Sequence, residues 1–279
     1  MSSLMHLVAE NYNDFLEIKK DPTVDSWPLM QSPVPVICIL IVYLYFVLKL
    51  GPDMMEKRPP MKLNNVLIAY NAYQVIFSAW LCSQVFLFKD IAQAVVSSCR
   101  NPSAKPDELQ LVLSRSAWWF LFSKIVELLD TIFFVLRKKQ SQVTFLHVYH
   151  HSIMVFFTWV YLKVLPGEQG AFIGFLNSFV HIIMYSYYLI AALGPKYQKY
   201  IWWKKYMTWI QLAQFCIMLT YLTILTAMDC KLPKSVTFFF FSNVAVFLYL
   251  FIDFYRKAYR KSKVGKMKQE TLQKTAKAE

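Results

Sequence analysis

The sequence has 279 residues, of which 57% are hydrophobic and 17% aromatic, and its mean hydropathy is +0.35. A typical soluble domain is about 45–50% apolar even when glycine is counted, so this composition excludes an ordinary soluble domain. The formal net charge is +13. The lysines and arginines flank apolar blocks of about 20 residues, which is typical of membrane spans and argues against a nucleic-acid partner.

Seven apolar blocks predict an all-α transmembrane protein, because an open sheet would leave backbone groups unsatisfied in lipid. Residues 1–33 are predicted to form a lumenal segment, since the first 27 are polar and acidic and show no cleavable signal peptide. The predicted spans are 34–50, 65–88, 117–136, 143–162, 171–193, 206–228 and 236–255. They form one domain, 34–255, with breakers such as Gly51-Pro52 between spans. The lysine-rich tail, 256–279, is predicted to be disordered.

Lysine and arginine flanks predict the orientation in the membrane. One side carries roughly twice as many as the other and is therefore predicted to be cytosolic. This places the N-terminus in the lumen and the C-terminus in the cytosol. Cys99 and Cys230 lie in loops on the predicted lumenal side, where oxidation is possible. The sequence predicts a Cys99–Cys230 disulfide, with two free thiols as the alternative.

The third span contains three charged residues, Lys124, Glu127 and Asp130, on one face of a helix. Each charge costs about 2.5–3.5 kcal/mol at the centre of a bilayer, so all three are predicted to point inward. Lys124 and Glu127 are close enough to pair. Taken alone, this pair is equally well explained as an ion pair that fastens helices together.

The next three spans also carry polar stripes at helical spacing. These stripes consist of His147, His150 and His151; Asn177, His181, Tyr185 and Tyr188; and Thr208, Gln211 and Gln214. Four consecutive spans with inward polar stripes predict helices that surround a shared chamber.

Clustered histidines have two chemical interpretations. Four histidines with Glu127 and Asp130 have the ligand types for one zinc or iron ion, which would make the chain a metal-dependent lipid oxidase. Neutral imidazole can instead act as a base or nucleophile near physiological pH. A seven-helix lipid-binding receptor or transporter is a further alternative.

Basic residues cluster on the side of the membrane where the histidine box begins. They are Arg137, Lys138, Lys139, Lys204 and Lys205. They suit a phosphate-bearing carrier such as coenzyme A, and the ordinary positive flank of a membrane span explains them equally well.

Four motifs, taken in order, resemble those of the very-long-chain fatty acid elongases of the endoplasmic reticulum, the condensing 3-oxoacyl-CoA synthases. The motifs are Lys124-x-x-Glu127-x-x-Asp130-Thr131, His147-x-x-His150-His151, Asn177-x-x-x-His181-x-x-Met184-Tyr185-x-Tyr187-Tyr188 and Thr208-x-x-Gln211-x-x-Gln214. The similarity extends from about Trp27 to Tyr259. The lead-in Gln142-Val-Thr-Phe-Leu is similar to the branch that acts on longer or polyunsaturated acyl chains.

The resemblance implies that spans two to seven form a six-helix barrel around a tunnel, with span one peripheral. The tunnel would be open to the cytosol and closed toward the lumen. The implied reaction condenses acyl-CoA with malonyl-CoA to give 3-oxoacyl-CoA, carbon dioxide and CoA, without a metal or other cofactor. Further partners implied are the bilayer, a second copy of the chain and other enzymes of the elongation cycle.

The same resemblance assigns roles to residues. His150 and His181 would be the catalytic pair, with His147 and His151 orienting the site. No cysteine lies near the first three motifs, so we expect His150 to accept the acyl group as an acyl-imidazole. Further residues are expected to bind the oxyanion or enolate, or to support the site: His181, Asn177, Gln211, Tyr185, Lys124, Glu127 and Asp130. Bulk in Tyr221–Met228 and Phe238–Phe241 is expected to influence chain length at the closed end.

Overall fold

The computed structural model describes residues 22–86, 108–164, 170–228 and 234–275. Within these ranges all regular secondary structure is helical. Seven long helices follow one another: α1 Val34–Met55, α2 Asn64–Val85, α3 Glu108–Leu136, α4 Phe145–Val164, α5 Ala171–Ala192, α6 Lys204–Ala227 and α7 Lys234–Thr275. Cys99 and Cys230 lie outside the described residues, so their disulfide stays a prediction.

Length and composition make the chain a multi-pass membrane protein. By these criteria α1, α2 and α5 can each cross a bilayer, as can Tyr206–Ala227 of α6 and Val236–Lys257 of α7. Helices α3 and α4 have 29 and 20 residues. They are long enough to cross, but the former carries five charged residues and the latter three histidines, which lower their hydropathy.

Two helices extend further than the apolar pattern predicts. Helix α3 starts at Glu108, nine residues before the predicted span, and α7 continues to Thr275. The disordered tail predicted for residues 256–279 is therefore helical as far as Thr275. Both extensions are rich in leucine, lysine, glutamine or glutamate, which favour helix, and they extend a helix that has already been nucleated.

Helix α1 continues through Gly51-Pro52, where the sequence predicted a break. It is α-helical over Val34–Tyr45, π-helical over Phe46–Leu50 and α-helical again over Gly51–Met55. A proline lacks a backbone N–H and crowds the preceding turn, and the wider π-turn accommodates it. A Cβ atom on Gly51 would lie 2.8 Å from Val135 Cγ1. Glycine therefore lets α1 approach α3 closely.

The N-terminal strap, residues 22–30, packs on the ends of α3 and α4. The Nε1 atoms of Trp118 and Trp159 donate to the carbonyls of Pro28 and Leu29 at 2.9 and 2.8 Å, and Lys163 Nζ pairs with Asp25 and donates to the Met30 carbonyl. Val24 and Met30 are completely buried. The strap belongs to the apolar core that unites α1, α3 and α4.

Helix contacts define which segments are neighbours. Helix α2 packs on α5 and α3, α3 packs on α4 and α5, and α6 packs on α5 and α7. Helix α7 also contacts α4, while α1 packs on α3 and α4. At the end of the bundle opposite the strap, Met61 N donates to the Leu136 carbonyl at 3.0 Å. This contact joins the α1–α2 connection to the end of α3.

Candidate active site

A buried charged cluster joins α3 to α5. Lys124 Nζ donates to Glu127 Oε1 at 2.7 Å and to Asn177 Oδ1 at 2.8 Å. Lys124 and Glu127 are each 2% exposed. The predicted pairing of the two α3 charges is confirmed, and the polar stripes of α3 and α5 face each other.

His181 lies on the same face of α5, one turn beyond Asn177. Its Nδ1 atom is 3.2 Å from Glu127 Oε1, within ion-pair distance but without the alignment of a hydrogen bond. The ring also contacts Tyr185, at 5.6 Å between ring centroids. Tyr185 is fully buried and donates to Asp130 Oδ2 at 2.7 Å. Each of the three charged side chains predicted to point inward from α3 therefore contacts a side chain of α5.

The three imidazoles of α4 form a second cluster. The rings of His147 and His151 are 4.4 Å apart between centroids, and those of His150 and His151 are 5.3 Å apart. His150 points toward α7, with its ring 5.1 Å from that of Phe247. The buried Nε2 atom of His147 has no hydrogen-bond partner among the described residues. Within those residues no group of three His, Cys, Asp or Glu side chains is arranged to hold a metal ion.

A cavity with about 1160 Å³ of unoccupied space borders both clusters. Each of the helices α2 to α7 contributes to its wall, for example through Gln84, Phe120, His150, Asn177, Gln214 and Phe247. None of the described residues that line it belongs to α1.

The cavity wall extends along α4 and α5 toward the strap end of the bundle. His150 and Asn177 lie at one end of this wall, and Tyr161 and Gly170 lie at the other. His150 and Tyr161 are eleven residues apart on α4, which corresponds to about 16 Å. Most of the wall between them is apolar. The shape fits an extended apolar chain that reaches the imidazoles with one end.

The model of the GNS1/SUR4 family, ELO, matches residues 28–267. The chain belongs to this family.

Curated relatives agree with the family match. A very long chain fatty acid elongase of Aedes aegypti is 41% identical over 263 residues, which cover 94% of this chain and 73% of the relative. Very long chain fatty acid elongase 7 of Drosophila melanogaster is 43% identical over 255 residues, covering 90% and 77%. Very long chain fatty acid elongase 7 of Rattus norvegicus is 42% identical over 264 residues, covering 93% and 92%. The predicted membership of the very-long-chain elongases is confirmed.

Some predicted site residues of this ELO-family chain do not line the cavity. Gln211 lies against Met184, with its Nε2 atom 3.8 Å from the sulfur. Gln214, one turn further along α6, is buried and lines the cavity. Tyr188 is 38% exposed, so it does not belong to the inward-facing polar stripe of α5 as predicted. Sequence spacing placed Gln214 in the right stripe but could not rank it above Gln211.

The predicted basic residues lie at the end of the bundle opposite the strap. Lys138 has a positive φ of 55° where α3 ends, and its Nζ donates to the Glu56 carbonyl at 3.0 Å. Lys139 and Lys204 are exposed, and Arg137 is half-buried. The side chain of Lys205 is outside the description. The structure thus gathers Arg137, Lys138 and Lys139 at one helix end.

The residues predicted to influence chain length have different surroundings. Phe240 is buried and lines the cavity. Phe238 and Phe241 are 75% and 43% exposed, and the Tyr221 ring packs on Phe172 at 4.9 Å. Of these four, only Phe240 is placed to contact a ligand in the cavity.

Proposed function

We propose that this chain is a condensing enzyme of fatty acid elongation. It joins acyl-CoA with malonyl-CoA and releases 3-oxoacyl-CoA, carbon dioxide and CoA. The observation that carries the proposal is the long apolar cavity with His150 and Asn177 in its wall. The names of its relatives, very long chain fatty acid elongases, support the same function.

In this proposal helices α2 to α7 form a six-helix barrel and α1 lies outside it. Two observations support the arrangement. Contacts lead from α2 through α3, α4, α7, α6 and α5 back to α2. The cavity wall draws on these same six helices. The tunnel then opens toward the basic helix ends and closes near the strap.

The first step is acyl transfer to His150. A ring nitrogen of the neutral imidazole attacks the thioester carbonyl, so a C–N bond forms and the C–S bond breaks. CoA leaves as a thiolate and takes up the proton that the imidazole loses. A half-buried imidazole that packs against the Phe247 and Phe251 rings suits this role because surroundings of low polarity favour the neutral, nucleophilic form.

The second step is decarboxylative condensation. Malonyl-CoA loses carbon dioxide, and the electron pair of the broken C–C bond becomes an enolate. The enolate carbon attacks the acyl-imidazole carbonyl, so a C–C bond forms and the C–N bond breaks. The imidazolate that leaves takes up one proton from water, which regenerates neutral His150, and the product is two carbons longer.

Asn177 is well placed to stabilise the negative oxygen in both steps. Lysine can only donate hydrogen bonds, so the Lys124 contact fixes Asn177 Oδ1 as the acceptor. The Nδ2 donor of the same amide is then available to an oxyanion in the cavity. His181 completes the proposed set of donors together with Gln214, which lines the cavity, whereas Gln211 packs on Met184 and is proposed to support the site. Glu127 holds Lys124 in place, and His147, His151, Asp130 and Tyr185 support the site.

The setting follows from the same proposal. The basic residues Arg137, Lys138, Lys139, Lys204 and Lys205 would bind the phosphates of CoA at the cytosolic mouth. The chain would reside in the endoplasmic reticulum membrane, with its N-terminus in the lumen and its C-terminus in the cytosol. No metal or redox cofactor is needed for the two steps. The acyl substrates would be long or very long, polyunsaturated chains included.

The test of the nucleophile uses acyl-CoA without malonyl-CoA. Purified wild-type enzyme is expected to form an acyl adduct on the peptide that contains His150, detected by mass spectrometry. The variant His150→Ala should form none, while the control Tyr149→Phe, which replaces its neighbour on α4, should retain the adduct. An adduct that forms on His150→Ala at the wild-type rate would place the nucleophile elsewhere.

A second assay separates the proposal from its rivals. Membranes that contain the enzyme are given labelled malonyl-CoA and an acyl-CoA, with and without a chelator. Label in a lengthened acyl chain, unaffected by the chelator, is expected. A receptor or transporter would leave the label unused, and a metal-dependent lipid oxidase would lose its activity with the chelator.

A further inference from the structure

Two glycines at the start of α5 line the far half of the cavity, and their surroundings differ. A Cβ atom on Gly170 would lie 2.4 Å from the ring of Tyr161. The tyrosine ring therefore already fills the space beside that glycine. A Cβ atom on Gly174 would have no heavy atom within 4 Å. Gly174 thus leaves a recess in the cavity wall.

Ordinary reasons for a glycine do not apply to Gly174. It is in the interior of α5, where glycine is unfavourable, and it is not among the residues with positive φ. Small residues in membrane helices usually let a neighbouring helix approach closely. Within the part of the chain that the structure describes, no neighbour approaches the position of the missing side chain. The backbone and the packing would both accept a larger residue.

The recess lies on the same face of α5 as the proposed catalytic groups. Gly174 precedes Asn177 by three residues and His181 by seven, so it lies about 4.5 and 10 Å from them along the helix axis. An extended chain gains about 3.3–3.6 Å for every three bonds, so 10 Å corresponds to about nine bonds. An acyl chain whose carbonyl lies level with His181 along α5 would reach the recess near its ninth or tenth carbon.

We propose that Gly174 is a specificity-determining residue for acyl chain length. The missing side chain lets chains longer than about ten carbons pass the level of Gly174 and fill the far end of the cavity. A larger residue would block that passage and leave shorter chains unaffected. This inference rests on the proposed function.

The test compares Gly174→Ala, Gly174→Leu and wild type on saturated acyl-CoA substrates from eight to 24 carbons. With Gly174→Leu, kcat/KM is expected to fall at least tenfold for chains of 16 carbons and longer and to change less than twofold for chains of eight carbons. Gly174→Ala should give a smaller change in the same direction. The matched control is Ala213→Leu, which adds similar bulk to an exposed position of α6.

The outcomes separate this inference from the proposed function. Incorporation of malonyl carbon by the wild type, combined with an unchanged length profile in Gly174→Leu, would overturn the role of Gly174 alone. A uniform loss across all lengths would overturn it as well. If the wild type extends no acyl-CoA, the proposed function fails. A photoreactive fatty acid then still tests the recess, because the probe should label the far end of the cavity in wild type and not in Gly174→Leu. If Gly174→Leu does not fold, the graded shift in Gly174→Ala decides, and its absence counts against the proposal.

Discussion

Replacing Glu127 by glutamine is expected to destabilise the fold more than replacing Lys124 and Glu127 together. Lys124 Nζ is buried and bonded to Glu127 and Asn177, so the glutamine variant leaves an ammonium group without a counter-charge. Removing one partner of a buried ion pair costs about 3–5 kcal/mol, whereas exchanging both for apolar residues is often neutral or stabilising. At about 2–4 °C per kcal/mol, Glu127→Gln should lower Tm by about 6–20 °C.

The assay is thermal unfolding of the purified protein in detergent. Wild type, Glu127→Gln, Glu127→Leu, Lys124→Met and the double variant Lys124→Met/Glu127→Leu are compared. The double variant is expected to lie within a few degrees of wild type. As a control, Asp53→Asn breaks the Lys49–Asp53 pair, whose side chains are 70% and 58% exposed, and exposed pairs contribute little.

Additivity decides the outcome. If the losses of Lys124→Met and Glu127→Leu sum to the loss of the double variant within about 0.5 kcal/mol, Lys124 and Glu127 are not coupled and the reasoning is refuted. Activity is not a substitute for this measurement. Each variant of Lys124 or Glu127 also disturbs the contact that orients Asn177.

Three further predictions use the same thermal assay. Tyr43→Phe removes the 2.7 Å hydrogen bond to Thr131 that joins α1 to α3 and should cost about 1 kcal/mol while elongation continues; unchanged stability would mean that the bond contributes nothing. Gly51→Leu forces a side chain against Val135 and the Phe46 carbonyl, both 2.8 Å from the added Cβ, and should cost about 1–3 kcal/mol, with earlier aggregation on size exclusion; a wild-type Tm would show that α1 moves away freely. Lys138→Gly relieves a left-handed backbone that costs about 1–2 kcal/mol and should raise Tm. A Tm that is unchanged or lower would show that the hydrogen bond from Lys138 to the Glu56 carbonyl contributes more than this strain costs.

The inward charges of α3 were predictable because of their physical cost. An unpaired charge facing lipid is so unfavourable that Lys124 and Glu127 had to point into the protein. Helical spacing then placed Asn177 and His181 on one face of α5. The contact between Lys124 and Asn177 was not predictable, since it depends on how α3 and α5 cross, and one sequence does not encode that crossing in a local pattern.

Other differences arise because hydropathy identifies the lipid-embedded part of a helix and does not show where the helix begins or ends. The pattern gave the apolar part of α3 but not its polar first turns from Glu108. Gly51-Pro52 was predicted as a break because a π-turn has no recognisable sequence pattern. The sequence did not indicate a role for Gly174, because a single glycine in an apolar block does not reveal whether space lies beside it. The empty space beside it becomes visible only when six helices are assembled.

The strap has a consequence for biosynthesis in the membrane. Its residues leave the ribosome early, yet Leu29 finds its hydrogen-bond partner, Trp159, only after another 130 residues. At about 5–20 residues per second, the strap waits about 7–26 s for that tryptophan to be made. During this interval Val24 and Met30 lack the part of their core that α4 supplies. The newly made chain therefore passes through a stage in which the first span is inserted but not yet docked, and the ends of α3 and α4 fix it only once the fourth span is complete.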